Sequence, residues 1–232
     1  MRAIRFSSLA AIGLLALGFA GSTSAQMAGA PTEWKEGTHY FVIDPPQPTT
    51  TGDKIEVTEV FSYGCPACNA SVPFVDKLAK TLPPNAAMNF VPAAFNIAED
   101  WPVFQRGYLT AKAMGVADKA HDAMFDAVWK TNELAISDNG RPKQPLPTIE
   151  DLARFYAKYG VKPDEFVATA NSFTINTRVK QADAYIKTVG VEVTPTIIVN
   201  GKYRLTTSSA GGSWDKAQEL VMYLIRKESG AH

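Results

Sequence analysis

The sequence is poor in the residues that build metal centres and disulfide-rich scaffolds. Its 232 residues include two cysteines and three histidines. A structural zinc site needs about four ligands, and His39, His121 and His232 stand at no ligand-like spacing from the cysteines. We therefore expect no metal site. A chain of this length also needs no disulfide to stabilise a small core.

An excess of charge of either sign is also lacking. The chain has 23 basic and 23 acidic residues. Such a balance gives no reason to expect nucleic acid or an anionic membrane as a partner. We expect neither of them, and we expect a monomer.

No apolar run is long enough to be a membrane span. The apolar stretch Leu9–Ala20 follows Arg2 and Arg5 and precedes the small residues at 23–25. This order predicts a secretory signal peptide, residues 1–25, cleaved near Ala25. Its removal leaves a net charge of about −2. The exported chain then meets an oxidising compartment, where disulfides persist.

Apolar patterning divides the mature chain into strand, helical and strand stretches. Lys54–Phe61 is dense in β-branched and aromatic residues and predicts a buried strand. A helix is predicted to begin at Pro66, and Met88–Ala94 predicts a second buried strand. About ninety residues with helical periodicity follow. The Asn200–Gly201 turn between two β-runs then predicts a hairpin, and Ser213 caps a final helix.

Three local features refine this division. Tyr40–Ile43 is predicted as a short edge strand before the first buried one. Arg141–Pro147 is predicted as a proline-rich loop. Thr148 and Asp151 resemble a capping box and predict the start of a helix directly after that loop.

Both cysteines lie within one short stretch, FSYGCPACN. Cys65 is predicted at the N-terminus of the helix, where free N–H groups and the helix dipole favour a thiolate. Cys68 lies one turn on and is expected to be less exposed. A stabilised Cys65 thiolate favours the reduced pair, so its disulfide is readily passed to other thiols. The helix end alone supplies about 1 kcal/mol, so neighbouring N–H groups are expected to supply any larger effect.

Other uses of a cysteine pair fit less well. A c-type haem site needs histidine after the second cysteine, and Asn69 stands there. A structural disulfide would close a loop of two residues and stabilise little. Redox chemistry is therefore favoured, because the C-x-x-C pattern lies between a predicted strand and a predicted helix.

A second candidate element is VEVTPTIIVNGKY. Its proline opens a predicted core strand, where a residue without an N–H is tolerated. If the Thr194–Pro195 bond is cis, its backbone can face the cysteines, and the N–H and C=O of Thr194 can pair with an extended substrate segment. An ordinary trans bond at a strand start is the alternative that the residues alone leave open.

Four motifs make the chain resemble the DsbA-type thiol:disulfide oxidoreductases of the bacterial periplasm. They are EVFSYGCPACN, the NGKY turn after Thr194–Pro195, AMGVADKA and NSF. The resemblance covers about residues 34–227. It implies an α/β structure, a thioredoxin fold with an inserted all-helical domain. The first part of that fold is predicted at 26–97, the helical insertion at 98–188 and the second part at 189–232.

The resemblance also implies the roles of individual residues. Cys65 would be the exposed nucleophile and Cys68 the buried resolving cysteine, with Pro66 between them and Pro195 in the cis form. Glu59 stands where the family places a buried acid that relays protons to the inner cysteine. The residues alone favour a solvent-facing Glu59, because burying an unpaired carboxylate is costly.

Two positions depart from the family pattern. Well-studied members have histidine where this chain has Ala67, and a histidinium there helps to stabilise the thiolate. Its loss predicts a milder oxidant. Oxidases of the family usually have valine before the cis-proline, whereas Thr194 is similar to the disulfide isomerases.

The resemblance implies a periplasmic protein disulfide oxidoreductase. It would donate the Cys65–Cys68 disulfide to unfolded or newly exported proteins with reduced cysteines. An inner-membrane, quinone-linked enzyme of the DsbB type would reoxidise it, and the pair itself would serve as the redox group without a further cofactor. The alternatives are an electron-fed reductase or isomerase, and a peptide-binding chaperone module whose cysteines are incidental.

Overall fold

The computed structural model describes residues 33–138 and 141–230. These residues form seven strands: β1 (Phe41–Val42), β2 (Ile55–Phe61), β3 (Ala86–Pro92), β4 (Ser137–Asp138), β5 (Arg141–Pro142), β6 (Thr196–Val199) and β7 (Tyr203–Leu205). They also form seven α-helices: α1 (Pro66–Thr81), α2 (Trp101–Ala113), α3 (Ala117–Trp129), α4 (Ile149–Ala157), α5 (Pro163–Ala170), α6 (Phe173–Thr188) and α7 (Trp214–Glu228). The predicted signal peptide, residues 1–25, lies outside the described residues.

Five strands form one mixed sheet in the order β1-β7-β6-β2-β3. The strand β2 lies between β6 and β3, antiparallel to β6 and parallel to β3, and all its residues are buried. The predicted edge strand is present as β1, which pairs with β7 alone. The second predicted strand, Met88–Ala94, is present as β3, but β3 runs from Ala86 to Pro92 and is half-buried between its ends rather than buried.

Apolar side chains cover both faces of this sheet, as alternation along the strands requires. Val57 and Ile197 pack in a core cluster that also holds buried side chains of α1 and α7. Val60 and Ile198 point the other way and pack with Ile186 of α6. The sheet is therefore buried between helices on both sides, which explains why β2 reads as a nearly continuous run of β-forming residues.

The helices α2 to α6 all lie between β3 and β6 in the chain. Their apolar faces form a separate core cluster around Phe104, Phe125, Leu152, Tyr156 and Phe166. A helical insertion into an α/β sheet is the fold class that the sequence predicts, and it is confirmed. The predicted boundaries of the parts, at 97 and 188, stay predictions.

Local signals in the helical segment have mixed outcomes. The capping box is confirmed, because Thr148 and Asp151 each bond the other's backbone N–H at the start of α4. The prediction that Arg141–Pro147 is all loop is wrong, since β5 pairs with β4 in a short antiparallel ladder. Two-residue strands carry too few residues for alternation to be visible in the sequence.

No helix in the described ranges has the length and hydropathy to cross a membrane.

The β6–β7 hairpin turns at Asn200 and Gly201, as predicted. Both have positive φ, 53° and 64°, which is the geometry of the tight turns that Asn-Gly favours. Gly201 also packs against another part of the chain, because a Cβ atom there would collide with the backbone oxygen of Gln47. The Gln47 N–H donates to the Gly201 carbonyl at 2.9 Å. The turn therefore needs glycine both for its φ and for this close backbone approach.

Replacing Gly201 with alanine is expected to destabilise the fold more than the same change at Gly52. The two glycines have nearly the same φ, +64° and +65°, but the space around Gly52 is open. Both substitutions carry about 1 kcal/mol for a left-handed alanine, and Gly201→Ala adds about 1–3 kcal/mol from the backbone collision. Urea unfolding of both variants measures the difference, and equal losses of stability would contradict the packing role of Gly201.

Candidate active site

The Cys-Pro-Ala-Cys turn lies where β2 passes into α1. Cys65 is the N-cap residue of α1, with extended backbone angles (φ −86°, ψ 119°), and Pro66 occupies the first helical turn. The Cys65 carbonyl accepts the first helical bond, from the Asn69 N–H at 3.0 Å. This geometry places the Cys65 side chain beside the free N–H groups that begin the helix.

Both cysteines are free thiols and both are buried. Cys68 is fully buried, and Cys65 is 6% exposed although Pro66 and Ala67 beside it are exposed. The expectation of an exposed Cys65 is therefore wrong for this structure. The reason is the segment before β6, because the carbonyl oxygen of Thr194 lies 3.4 Å from the Cys65 sulfur, which donates to it when protonated.

The Thr194–Pro195 peptide bond is cis, as the resemblance implies. The bend brings the Thr194 carbonyl against Cys65, and Pro195 directly precedes β6. The next residue, Thr196, pairs with Val60 on β2. The cis-proline segment and the cysteine turn are thus held together by the pairing of β6 with β2.

The surroundings of Cys65 lower its pKa from the ordinary 9.0 to about 6. The largest cause is the Cys68 thiol, which donates to the Cys65 sulfur; burial opposes it, and the Thr194 hydroxyl and the N–H groups of Cys68 and Ala67 add smaller contributions. The Cys65 sulfur accepts no side-chain capping hydrogen bond, so these N–H groups act on it mainly as dipoles. The expectation that backbone N–H groups supply the main effect is therefore wrong. The inner thiol supplies it.

The opposite shift applies to Cys68. Burial raises the pKa of its thiol far above the ordinary value, and its donation to Cys65 and the nearby Glu59 carboxyl raise it further. At neutral pH the pair therefore holds one thiolate, on Cys65, and one thiol, on Cys68. A nucleophile beside a retained proton is the arrangement that thiol–disulfide exchange requires.

Glu59 is buried at 2% exposure on β2, so the solvent-facing position that the residues alone favour is wrong. One polar side chain, Ser71 of α1, lies within hydrogen-bonding distance, at 3.3 Å between Oγ and Oε1. Burial raises the pKa of Glu59 from 4.5 to about 8, and the Ser71 contact offsets this only in part. The Ser71 hydroxyl also donates to the Cys68 carbonyl at 2.8 Å, so its oxygen is free to accept from a protonated Glu59.

Glu56, three residues earlier on the same strand, shows what a structural buried acid looks like. Its carboxylate accepts from the Thr50 N–H (2.7 Å), the Thr50 hydroxyl (2.8 Å), the Thr58 hydroxyl (2.8 Å) and the Asn89 amide (3.2 Å). Four donors compensate for its burial. Glu59 lacks such compensation, and a poorly satisfied acid beside a reactive group is typical of functional sites.

The sequence analysis missed two residues around the dithiol. Ser71 lies on the buried face of α1 with Cys68, Val75 and Leu78, and a lone hydroxyl on this apolar stripe was the available signal. His121 of α3 packs among aromatic rings and shares a hydrogen bond of 2.9 Å with the Tyr63 hydroxyl. Burial lowers the pKa of His121 to about 4, so it is neutral at physiological pH.

The groups that meet at this site are two sulfurs, one buried carboxyl and the cis-proline backbone. Within the described ranges, no three His, Cys, Asp or Glu residues lie where they could hold a metal ion. The predicted site residues Cys65, Cys68, Pro66, Thr194 and Pro195 converge on the turn, and Glu59 lies behind it. Their catalytic roles stay predictions.

Glu59→Gln is expected to remove a pH-dependent loss of stability in the reduced protein. The folded pKa of Glu59, about 8, lies above the ordinary 4.5. Its contribution to the free energy of unfolding is therefore fully present below pH 4.5 and is lost as pH rises from 4.5 through 8. Gln cannot ionise, so relative to the parent the variant gains on the order of a few kcal/mol between about pH 5 and about pH 9. Cys65 makes the opposite contribution in both proteins, so it cancels when the free energy of unfolding of the parent is subtracted from that of the variant.

The matched control is Glu56→Gln, on the same strand and equally buried. It is expected to lose about 1–3 kcal/mol, because four donors lose a charged acceptor. Urea unfolding in excess reductant measures both variants. A Glu59→Gln protein whose stability follows the parent at every pH would show that Glu59 does not titrate in this range.

Comparisons with known proteins agree with this geometry. A family model described as Thioredoxin matches residues 52–217. The chain is 35% identical over 205 residues to the thiol:disulfide interchange protein DsbA of Pseudomonas aeruginosa, with 88% of this chain and 90% of that protein covered. It is 33% identical over 223 residues to the protein of the same name from Azotobacter vinelandii, with 96% and 95% covered.

A crystal structure of the oxidoreductase DsbA from Xylella fastidiosa is similar to this structure with a TM-score of 0.72 and 34% identity. The match covers 83% of this chain and 96% of that one. Family model, sequence relatives and structure all span the sheet and the helical insertion together. The chain therefore belongs to the DsbA family of thioredoxin-fold thiol:disulfide interchange proteins.

Proposed function

We propose that the chain donates the Cys65–Cys68 disulfide to newly exported proteins that carry reduced cysteines. The observation that carries the proposal is the asymmetry of the pair. With a pKa of about 6, Cys65 is a thiolate at neutral pH, which favours the reduced form and makes the disulfide readily given away. Membership of a family of thiol:disulfide interchange proteins supports the same chemistry.

The donating reaction has two exchange steps. A substrate thiolate attacks the Cys65 sulfur, the Cys65–Cys68 bond breaks, and Cys68 leaves and takes a proton, for which Glu59 is the buried source. A second substrate thiolate then attacks the substrate sulfur of the mixed disulfide, and Cys65 leaves as the thiolate. The substrate gains one disulfide, and the pair holds the two electrons.

Regeneration reverses the roles of the two cysteines. The Cys65 thiolate attacks a disulfide of an inner-membrane, quinone-linked partner of the DsbB type. Cys68 then loses its proton and attacks the Cys65 sulfur, which restores the intramolecular disulfide and leaves the partner reduced. We place this cycle in the periplasm, after removal of residues 1–25, and assign it to a monomer.

A cavity beside the cis-proline provides a place for the substrate chain. It encloses about 460 Å³ and is lined by residues that include Phe41, Val193, Leu205 and Thr206. Val193, directly before Thr194, is 55% exposed. An exposed apolar side chain one residue before the segment that contacts Cys65 suits an extended peptide, whose backbone can pair along the segment and whose side chains can enter the cavity.

The direction of electron flow depends on how strongly the thiolate is stabilised. Ala67 contributes no charged side chain, whereas the Thr194 hydroxyl lowers the pKa of Cys65. The absence of a histidinium at Ala67, and the similarity of Thr194 to the residue of disulfide isomerases, favour the second candidate, an electron-fed reductase or isomerase. The redox state of the pair in living cells separates the two: a donor is held oxidised, and an isomerase is held reduced.

Replacing each cysteine singly tests the assignment of roles. Cys65→Ser is expected to abolish oxidation of a dithiol peptide, because the attacked sulfur is gone. Cys68→Ala is expected to accumulate mixed disulfides with substrates, because no second sulfur competes for Cys65. Peptide oxidation assays and non-reducing gels measure these outcomes. Oxidation retained by Cys65→Ser, or no adducts on Cys68→Ala, would overturn the respective role.

A further inference from the structure

A narrow cavity leads from the dithiol site to the protein surface between α1 and α3. It encloses about 180 Å³ including its mouth, with room for about one water molecule. The lining residues that bear on proton movement are Glu59, Cys68, Ser71, Asp76, His121 and Asp122. The buried acid and the inner thiol lie at one end of this cavity, and two aspartates lie at the other.

The chemistry of regeneration requires an outlet for a proton at the inner end. Cys68 must lose its proton before it can attack Cys65, since only the thiolate is a nucleophile. Glu59 is the nearest acid, but with a pKa of about 8 it already holds a proton at neutral pH in the reduced protein. Glu59 can accept the proton of Cys68 only after its own proton has left.

The other polar groups of the cavity wall are poor bases. The Ser71 hydroxyl can accept a hydrogen bond, but an alcohol oxygen does not hold an added proton at neutral pH. His121 shares its Nδ1 with the Tyr63 hydroxyl, and burial keeps its pKa near 4, so it resists protonation. Asp76 and Asp122 are the lining carboxyls nearest to solvent, with Asp122 exposed and Asp76 half-buried.

We propose that Asp76 and Asp122 are the proton exit of the dithiol site. The inference rests on the proposed function and adds a step to it. Glu59 passes its proton across the cavity to the aspartate pair, which releases it to solvent, and Glu59 then takes the proton of Cys68. One proton leaves the protein for each disulfide re-formed, and the Cys68 thiolate attacks the Cys65 sulfur.

The charges around the pair suit a group that accepts and releases protons. Burial, together with the neighbouring carboxyls of Asp76 and Asp126, raises the pKa of Asp122, and Lys80 opposes them. Asp126 is itself paired with Lys130 at 2.6 Å. A carboxyl whose pKa lies above the ordinary range is a better partner for Glu59 than an ordinary aspartate, because proton transfer improves as the two pKa values approach.

The test separates the two steps by which glutathione disulfide oxidises the reduced full-length protein. In the first step the Cys65 thiolate attacks glutathione disulfide, forms a mixed disulfide and releases one glutathione. In the second step Cys68 loses its proton, attacks the Cys65 sulfur and releases the other glutathione. Acid quenching and mass measurement follow the two species separately in the parent, in Asp76→Asn with Asp122→Asn, and in Glu59→Gln.

The double variant is expected to slow the second step by about tenfold or more at neutral pH, and to leave the first step unchanged. Imidazole buffer is expected to restore the second step in proportion to its concentration, because a small base at the mouth can replace the carboxyls. The matched control is Asp118→Asn, which removes a charge one turn before Asp122 on α3, at an exposed residue that does not line the cavity and does not shift the pKa of Asp122. It is expected to leave both steps unchanged. An unchanged first step also shows that the variants are folded.

Three results would overturn the exit. In the first, the rate of the second step in the double variant stays within about twofold of the parent, while Glu59→Gln slows that step. This result would exclude the aspartates from proton transfer and leave the role of Glu59 intact. In the second, the step slows in the double variant without any response to imidazole, which would assign the aspartates an electrostatic rather than a proton-carrying role. If Glu59→Gln also leaves the second step unchanged, the role proposed for Glu59 fails together with the exit.

Discussion

The site depends on one asymmetric hydrogen bond, in which the buried Cys68 thiol donates to the Cys65 sulfur. Burial keeps the proton on Cys68, and that proton stabilises the charge on Cys65. The hydrogen bond adds to both shifts, because it stabilises the Cys65 thiolate and opposes loss of the Cys68 proton, although burial is the larger cause at Cys68. The other contacts at the turn have smaller effects. The Thr194 segment covers the Cys65 sulfur, and the first N–H groups of α1 lower its pKa a little further.

The sheet makes this asymmetry possible. The strand β2 leads to Cys65 at the start of α1, and the inner cysteine is fully buried one turn on. The same strand carries two buried acids that are treated differently. Glu56 is fixed by four donors, whereas Glu59 faces Cys68 with little compensation and takes up a proton instead. The fold therefore stores one mobile proton behind the reactive turn, at a depth from which it needs a route to solvent.

Much of this arrangement follows from local sequence. The Asn200–Gly201 turn, the Thr148 capping box and the strand–helix context of the cysteines depend on residues close together in the chain, where pattern and propensity act directly. The cis form of Thr194–Pro195 came from resemblance to the family, since base rates favour trans. The position of Glu59 came from the same source, against the usual cost of a buried carboxylate.

What the sequence did not reveal depends on contacts between distant segments. The burial of Cys65 follows from the meeting of Thr194 with the cysteine turn, and no local pattern encodes it. The leading donor to Cys65 was not predicted, because helix-dipole reasoning ranks backbone N–H groups first, whereas the Cys68 side chain one turn away lowers the pKa of Cys65 most. Asp76 and Asp122 read as ordinary helix-surface residues until α1 and α3 pack side by side.

The central claim is tested most directly by titrating the Cys65 thiolate in reduced Cys68→Ala, with the parent and Cys68→Ser alongside, by its ultraviolet absorbance. The account predicts a midpoint near pH 6 in the parent and a rise toward the ordinary 9.0 in Cys68→Ala, where the donor is lost. Cys68→Ser keeps a hydroxyl donor and should fall between them. An unchanged midpoint in Cys68→Ala, or a parent that titrates near 9.0, would contradict it.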